Sequence, residues 1–143
     1  MLVSQILKGK AGGVVTIPAG AAIHEAAELL SARRIGALVV SDDGMTVQGI
    51  LSERDIVREL GKRGTACLDD KVEDLMTRAI YGCKPDDTAD QVLQTMTQRR
   101  FRHMPVMEGS AMIGLISIGD VVAARLSELQ LERDALTGMI MGH

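Results

Sequence analysis

The stretch Gly49-Ile50-Leu51-Ser52-Glu53-Arg54-Asp55 returns near the end of the chain as Gly114-Leu115-Ile116-Ser117-Ile118-Gly119-Asp120. Each copy reads as a short apolar strand ending in Gly-h-h-Ser, where h is apolar, that runs straight into a helix whose first turn carries the Asp. Two general forces write such a pattern without any ligand. A Ser N-cap followed three residues later by an acid resembles a capping box, and an acid in a first turn is favoured by the helix dipole. The same junction is also a seat for a phosphate, because a helix N-terminus presents unpaired N–H groups and partial positive charge. The Ser hydroxyl adds a donor, and a carboxylate three residues on accepts from a pair of hydroxyls such as a ribose offers. Duplication moves the balance towards the second reading.

Outward from the first copy, Val14-Val15-Thr16-Ile17 is a β-branched strand stopped by Pro18. Ile23, Ala26, Ala27, Leu29 and Leu30 recur with helical spacing up to Arg33-Arg34, and Ile35 to Val40 is a buried strand. Ser41-Asp42-Asp43-Gly44 turns the chain, Thr46 to Leu51 returns it, and Ser52 to Leu60 is a helix closed by Gly61. Gly61 to Asp70 is a polar connector, Val72 to Met76 makes a helical turn, and the order then begins again. Asp86-Asp87-Thr88 opens a helix striped by Ala89, Val92, Leu93 and Met96. Met104 to Met107 is a strand, Glu108-Gly109-Ser110 a turn, Met112 to Ile116 the returning strand, and Ser117 starts a helix.

Arg33-Arg34-Ile35 matches Arg99-Arg100-Phe101 at a distance of 66 residues (33 to 99), and Ser52 matches Ser117 at 65 (52 to 117), so the second turn is one residue shorter. A length change confined to a turn is the mark of a duplicated fold. The expectation is an α/β (α+β) fold of two β-α-β-β-α repeats. Copies of about 55 residues bury too little alone, so they are expected to pack sheet to sheet with pseudo-twofold symmetry. The expected boundaries are an N-terminal segment 1–13, a first repeat 14–61, a connector 62–75, a second repeat 76–125 and a helical tail 126–143.

Composition narrows the function. An apolar fraction of 46% and a mean hydropathy of +0.14 describe a globular chain, and a net charge of −3 gives no pull towards nucleic acid or an anionic membrane. Tyr81 and Phe101 are the only aromatic residues, too few for a base-stacking platform. Cys67 and Cys83 stand apart, without metal-ligand spacing, as reduced thiols of a cytoplasmic protein would. Met1 to Gly13 has no leader-like apolar core, and no run long enough to span a membrane occurs. Met1 to Leu7 suits a short amphipathic turn. Lys8 to Gly13 is a Gly-rich loop that lacks the Gly-Lys-Ser/Thr ending of a P-loop, although Lys8 or Lys10 can reach a bound anion. The Met residues, as in Met96, Met104, Met107 and Met112, are expected to fill an aromatic-poor core. Three His, no Ser-His-Asp order, no paired carboxylates and no metal cluster leave little for catalysis, so no enzyme is expected.

Taken together, the two Gly-h-h-Ser-x-x-Asp segments, the Met104-Pro105-Val106 strand, the Asp74-Leu75-Met76-Thr77 lead-in and the closing Gly114 to Val122 resemble the paired cystathionine-β-synthase (CBS) domains, or Bateman modules, of the small stand-alone bacterial type. The resemblance covers Val14 to about Arg125. It implies an adenosine-containing ligand, such as AMP, ADP, ATP, NAD(H) or S-adenosylmethionine, in a cleft between the repeats, no catalytic cofactor, and a homodimer. The motif acids Asp55 and Asp120 would take ribose hydroxyls, Ser52 and Ser117 would approach the phosphate or ribose, and Arg102-His103 fall where family members contact phosphates. The first-repeat counterpart of that basic pair is Gly36-Ala37, and Ile118-Gly119 replace Glu53-Arg54. The resemblance therefore implies one well-equipped site from Ser52, Arg54, Asp55, Arg102 and His103, and a weaker one around Ser117 and Asp120. Val15, Thr16, Ile17, Ala37, Ile80 and Tyr81 would surround the adenine.

The function expected is a ligand-sensing regulatory module acting on an unidentified protein. The alternative is a ligand-independent dimeric adaptor, whose surface would be the tail stripe Val122, Leu126, Leu129, Leu136, Met139 and Ile140. Completion of the homodimer accounts for the same stripe.

Overall fold

The computed structural model describes residues 1–10 and 13–140. Ala11 and Gly12 of the expected loop, and the last three residues of the expected tail, lie outside the described residues. Chain order is α1 (Val3–Lys8), β1 (Thr16–Ile17), α2 (Ile23–Arg33), β2 (Ala37–Val40), β3 (Gly49–Ser52), α3 (Glu53–Arg63), a 3-10 turn (Gly64–Asp69), α4 (Val72–Leu75), α5 (Ala89–Arg99), β4 (His103–Glu108), β5 (Ala111–Ser117) and α6 (Ile118–Ile140). The described residues fall into two compact units, 13–81 with 109–113, and 1–10 with 82–108 and 114–140.

In the unit holding the first repeat, β1-β2-β3 form one sheet, β1 parallel and β3 antiparallel to β2. The continuous apolar run of β2 is buried at every position, and Leu38, Val40 and Leu51 pack against Ile23, Ala26 and Leu30 of α2 and Ile56 of α3. β4 and β5 form a second sheet, and in the other unit, which holds residues 114–117 of β5, Met104, Val106 and Ile116 pack against Val92 and Met96 of α5 and Val121 of α6. The first strand of the second repeat is reduced to one parallel bridge, Cys83 to Val106. It is the counterpart of Ile17 on Val40, each residue displaced by 66. Gly82, a poor strand former, stands where the first repeat has Thr16, which accounts for the shortening. The repeat is also written in the backbone: α2 and α5 end at Arg34 (φ 53°) and Arg100 (φ 60°), both left-handed.

The N-terminal segment is more than a turn ahead of the first repeat. Leu2 bridges Thr88 at the start of α5 just as Lys71 bridges Ala22 at the start of α2. Val3 N–H donates to Asp87 O at 2.9 Å, and Val72 N–H to Ala21 O at 2.8 Å. Val3 and Val72 are both 0% exposed. The short helix α1 is thus built into the unit of the second repeat, and α4, which precedes the second repeat, into the unit of the first. This exchange explains the glycine of the duplicated motif. A Cβ on Gly49 would stand 2.8 Å from Met76 Cγ and 3.0 Å from Thr77 O, and one on Gly114 2.7 Å from Leu7 Cδ2. The glycine admits the end of the short helix.

β1 and β2 each begin two residues later than expected, at Thr16 and Ala37, and two boundaries move by three residues. The returning strand begins at Gly49 rather than Thr46, because Asp43 Oδ1 accepts from the N–H groups of Met45 (2.8 Å) and Thr46 (2.7 Å) and closes a side-chain turn there. Helix α3 runs past Gly61 to Arg63, whose guanidinium donates to Glu59 and Asp70 and ties the helix end to the connector.

Two substitutions test this packing. Ile6→Ala is expected to cost about 2–4 kcal/mol, since it opens a cavity in the core that α1 completes. Gly49→Ala is expected to cost about 1–3 kcal/mol, because the Thr77 backbone blocks the new methyl. Urea denaturation reads both, and an unchanged midpoint for Ile6→Ala would remove α1 from the core.

Candidate functional site

The first motif copy forms a capping box at the start of α3. Asp55 Oδ2 accepts from Ser52 N–H at 2.9 Å and from Ser52 Oγ at 3.1 Å, Asp55 N–H donates to Ser52 Oγ at 3.3 Å, and Arg58 Nη1 reaches Oδ1 at 3.4 Å. The Asp55 side chain is 10% exposed, against 62% for Arg58. Ala37 lies directly across the sheet from Ser52, so this candidate sits at the same junction. Arg54 is exposed and, among the described residues, without an ion-pair partner. Arg58 was not singled out in the sequence, although its three-residue spacing from Asp55 carries the signal.

The second copy repeats the cap with one addition. Asp120 Oδ2 accepts from Ser117 N–H at 2.8 Å, and Asp120 N–H donates to Ser117 Oγ at 3.1 Å. Lys10 Nζ then reaches Asp120 Oδ2 at 2.8 Å and Leu115 O at 2.9 Å. Partial burial pushes the Asp120 carboxyl up, but the Lys10 ammonium and the Ser117 N–H outweigh it and hold the group below the usual carboxylate range. The lysine expected to reach a bound anion reaches this carboxylate. Its signal was the match of Val3 and Ile6 to Val72 and Leu75, visible only once α1 and α4 are seen as equivalents.

The remaining candidates divide by unit. Val15, Thr16 and Ile17 lie in or beside β1, an edge strand of its sheet, with Ile17 buried and the other two half-buried. Ile80 is half-buried and Tyr81 exposed, both in irregular backbone. Arg102 and His103 belong to the other unit, where Arg102 is exposed and His103, half-buried, opens β4. A groove of about 500 Å³ between α2 and α3 is lined by Ala27, Leu30, Arg34, Gly36, Glu53 and Val57; neither Ser52 nor Asp55 lines it, so it is not the seat of the motif. Burial and the Asp87 charge push the Cys83 thiol up to about 12, which makes it a core residue and not a nucleophile. No group of His, Cys, Asp and Glu among the described residues converges as a metal site, and no helix among them is long and apolar enough to cross a membrane.

Two α/β repeats, each closed by a borrowed short helix and each opening a helix with Ser-x-x-Asp, define a tandem-repeat module. The CBS domain profile matches residues 11–62 and 72–127, and the chain belongs to that family. It is similar to the CBS-domain containing protein ATU1752 from Agrobacterium tumefaciens, at 44% identity and a TM-score of 0.83 over 87% of this chain and 99% of that one. It is also similar to the CBS domain protein PAE2072 from Pyrobaculum aerophilum, solved as a complex with AMP, at 25% identity and a TM-score of 0.74 over 84% of this chain and 89% of that one. The mitochondrial CBS domain-containing protein CBSX3 of Arabidopsis thaliana is 35% identical over 124 residues, 84% of this chain, which spans 60% of the length of that relative.

A pH dependence follows from Asp120. A carboxyl lowered by folding adds stability that is present above its unfolded value of about 3.9 and is lost as pH falls through the lower folded value. Asp120→Asn is therefore expected to be less stable than wild type at about pH 7, with the difference shrinking below about pH 4. Urea denaturation across that range measures it, and a constant difference would mean that the charge of Asp120 is not what the fold uses.

Proposed function

We propose that the chain is a non-enzymatic regulatory module that binds an adenosine-containing ligand, AMP, ADP, ATP or NAD(H), and passes its occupancy to a partner protein. The reading is carried by the two Ser-x-x-Asp helix starts, each holding its carboxylate against the cap through one oxygen, Oδ2. A carboxylate has about four acceptor directions, so capping and the acceptance of a ribose diol are compatible, and the cap fixes the acid in advance. The complex of PAE2072 with AMP supports the ligand class.

In this proposal Ser52, Arg54 and Asp55 of the first repeat act with Arg102 and His103 of the second as the stronger site. Ser117 and Asp120 serve a weaker one, and Val15, Thr16, Ile17, Ala37, Ile80 and Tyr81 contribute to adenine recognition. Ligand affinity that differs between two states of the module shifts their populations, which is all that regulation requires. The buried, unpaired thiols of Cys67 and Cys83 fit a reducing compartment such as the cytoplasm.

Isothermal titration with AMP, ATP, NADH and S-adenosylmethionine tests the reading. At least one is expected to bind below about 1 mM, an affinity of about 4 kcal/mol. Asp55→Ala is expected to abolish the tighter site with the circular dichroism spectrum retained, and loss of the fold instead would reduce Asp55 to a cap. Arg102→Ala is expected to weaken phosphate-bearing ligands more than adenosine, and equal loss for both would remove it from the phosphate role.

One observation favours a second reading, a dimeric adaptor. Along α6, Leu126, Leu129, Leu136 and Ile140 are 48–83% exposed, whereas Val121 and Ala124 face the core of their own unit. A homodimer covers such a stripe as well, and we take that as the reading. Leu129→Asp is expected to give monomers in sedimentation equilibrium; a dimer that survives it would leave the stripe to another protein.

A further inference from the structure

Lys10 supplies a cation that the repeat does not predict. The bridges Leu2 to Thr88 and Lys71 to Ala22 put the segments around α1 and α4 in register, 69 residues apart (2 to 71). In that register Lys10 corresponds to Ala79, and the Arg54 of the first motif copy is replaced by Gly119 in the second. The ammonium is set on the Asp120 junction by a segment fixed along its length. Val3 and Ile6 sit in the core, Ala89 N–H donates to Met1 O at 2.9 Å, and the N-terminal ammonium meets Glu128 at 2.9 Å.

This geometry has consequences for a ligand. Lys10 holds Asp120 Oδ2 at 2.8 Å and Leu115 O at 2.9 Å, so the carboxylate is neutralised before anything binds. A ribose diol taken up by Asp120 competes with the ammonium for its negative charge. The Lys10 ammonium, 37% exposed beside an Asp120 that is 27% exposed, returns to water if it loses its carboxylate, unless another anion offers it a charge-assisted hydrogen bond. A phosphate on the same nucleoside provides one, whereas a neutral nucleoside does not.

We propose that Lys10 is a specificity-determining residue of the Ser117–Asp120 half-site. It exchanges Asp120 for the phosphate of the incoming ligand, so this half-site accepts phosphorylated nucleosides and disfavours the neutral nucleoside. The proposal rests on the reading of Ser117 and Asp120 as a nucleotide half-site.

AMP and adenosine are titrated separately into the wild-type chain, Lys10→Ala and Lys10→Arg. The amide resonances of Leu115 to Asp120 are followed, so that binding at this junction is read apart from binding elsewhere. AMP is expected to bind the wild type about tenfold or more tightly than adenosine, the ratio that a charge-assisted contact supports. In Lys10→Ala the ratio falls to within about threefold, through weaker AMP and unchanged or tighter adenosine, while Lys10→Arg keeps the discrimination. An equal ratio in wild type and Lys10→Ala, including equal loss of both ligands, overturns the role of Lys10 and leaves the half-site standing. Absence of any response of these amides to AMP in all three chains overturns the half-site itself, and the role of Lys10 with it.

Discussion

The start of each long helix that follows the first strand of a repeat is completed by backbone borrowed from a distant segment, and both units depend on that loan. The first N–H groups of a helix have no partner within it. In α2 the N-cap is Ala22, which has no side-chain acceptor, and Ile23 N–H is satisfied by Asp70 O at 2.9 Å. In α5 the capping residue is Thr88, whose Oγ1 accepts from Gln91 N–H at 3.1 Å, and Ala89 N–H still takes Met1 O at 2.9 Å. The segments that provide these carbonyls also insert Val72 and Val3, so the hydrogen bond and the apolar burial arrive together. A copy of about 55 residues has too little interior to stand alone, and the short helix supplies what is missing.

That docking propagates to the motif. After α4 the chain runs beside β3, where Thr77 exchanges hydrogen bonds with Ile50 at 2.9 and 3.1 Å, and the close approach of Met76 and Thr77 leaves no room for a side chain at residue 49. Three residues later the strand must become a helix, and Ser52 caps it. The Gly, the Ser and the Asp of the motif thus answer three successive structural demands: a close contact, a free N–H and a helix dipole. None of these spends more than one oxygen of the acid on the cap, which is why a junction built for folding retains acceptor capacity for a ligand.

Local patterns were legible because they have local causes. The helical spacing of Ile23, Ala26 and Leu30 and the unbroken apolar run of β2 follow from one buried face and one buried strand. The match of Ser52 to Ser117 likewise survives as two capping boxes of the same form. What could not be read depends on contacts far apart in the chain or on side-chain turns. Leu2-Val3 and Lys71-Val72 are alike only over a few residues, so the exchange of α1 and α4 emerges from pairing and not from periodicity. The late start of β3 follows from Asp43 gathering two backbone N–H groups, and Lys10 meets Asp120 across 110 residues.

The differences between the copies carry as much information as the matches. Positions that close the fold are the same in both: the motif glycines, serines and aspartates, and the left-handed Arg34 and Arg100. Positions that carry exposed or transferable charge are not: Arg54 against Gly119, Gly36-Ala37 against Arg102-His103, and Lys10 against Ala79. The backbone groups left open at the two junctions are alike, so these charges are not what satisfies them. Asp120 marks the dividing line. Its hydrogen bond to Ser117 N–H recurs at Asp55, whereas its ion pair is made with Lys10 from a distant segment, where Asp55 meets Arg58 of its own helix.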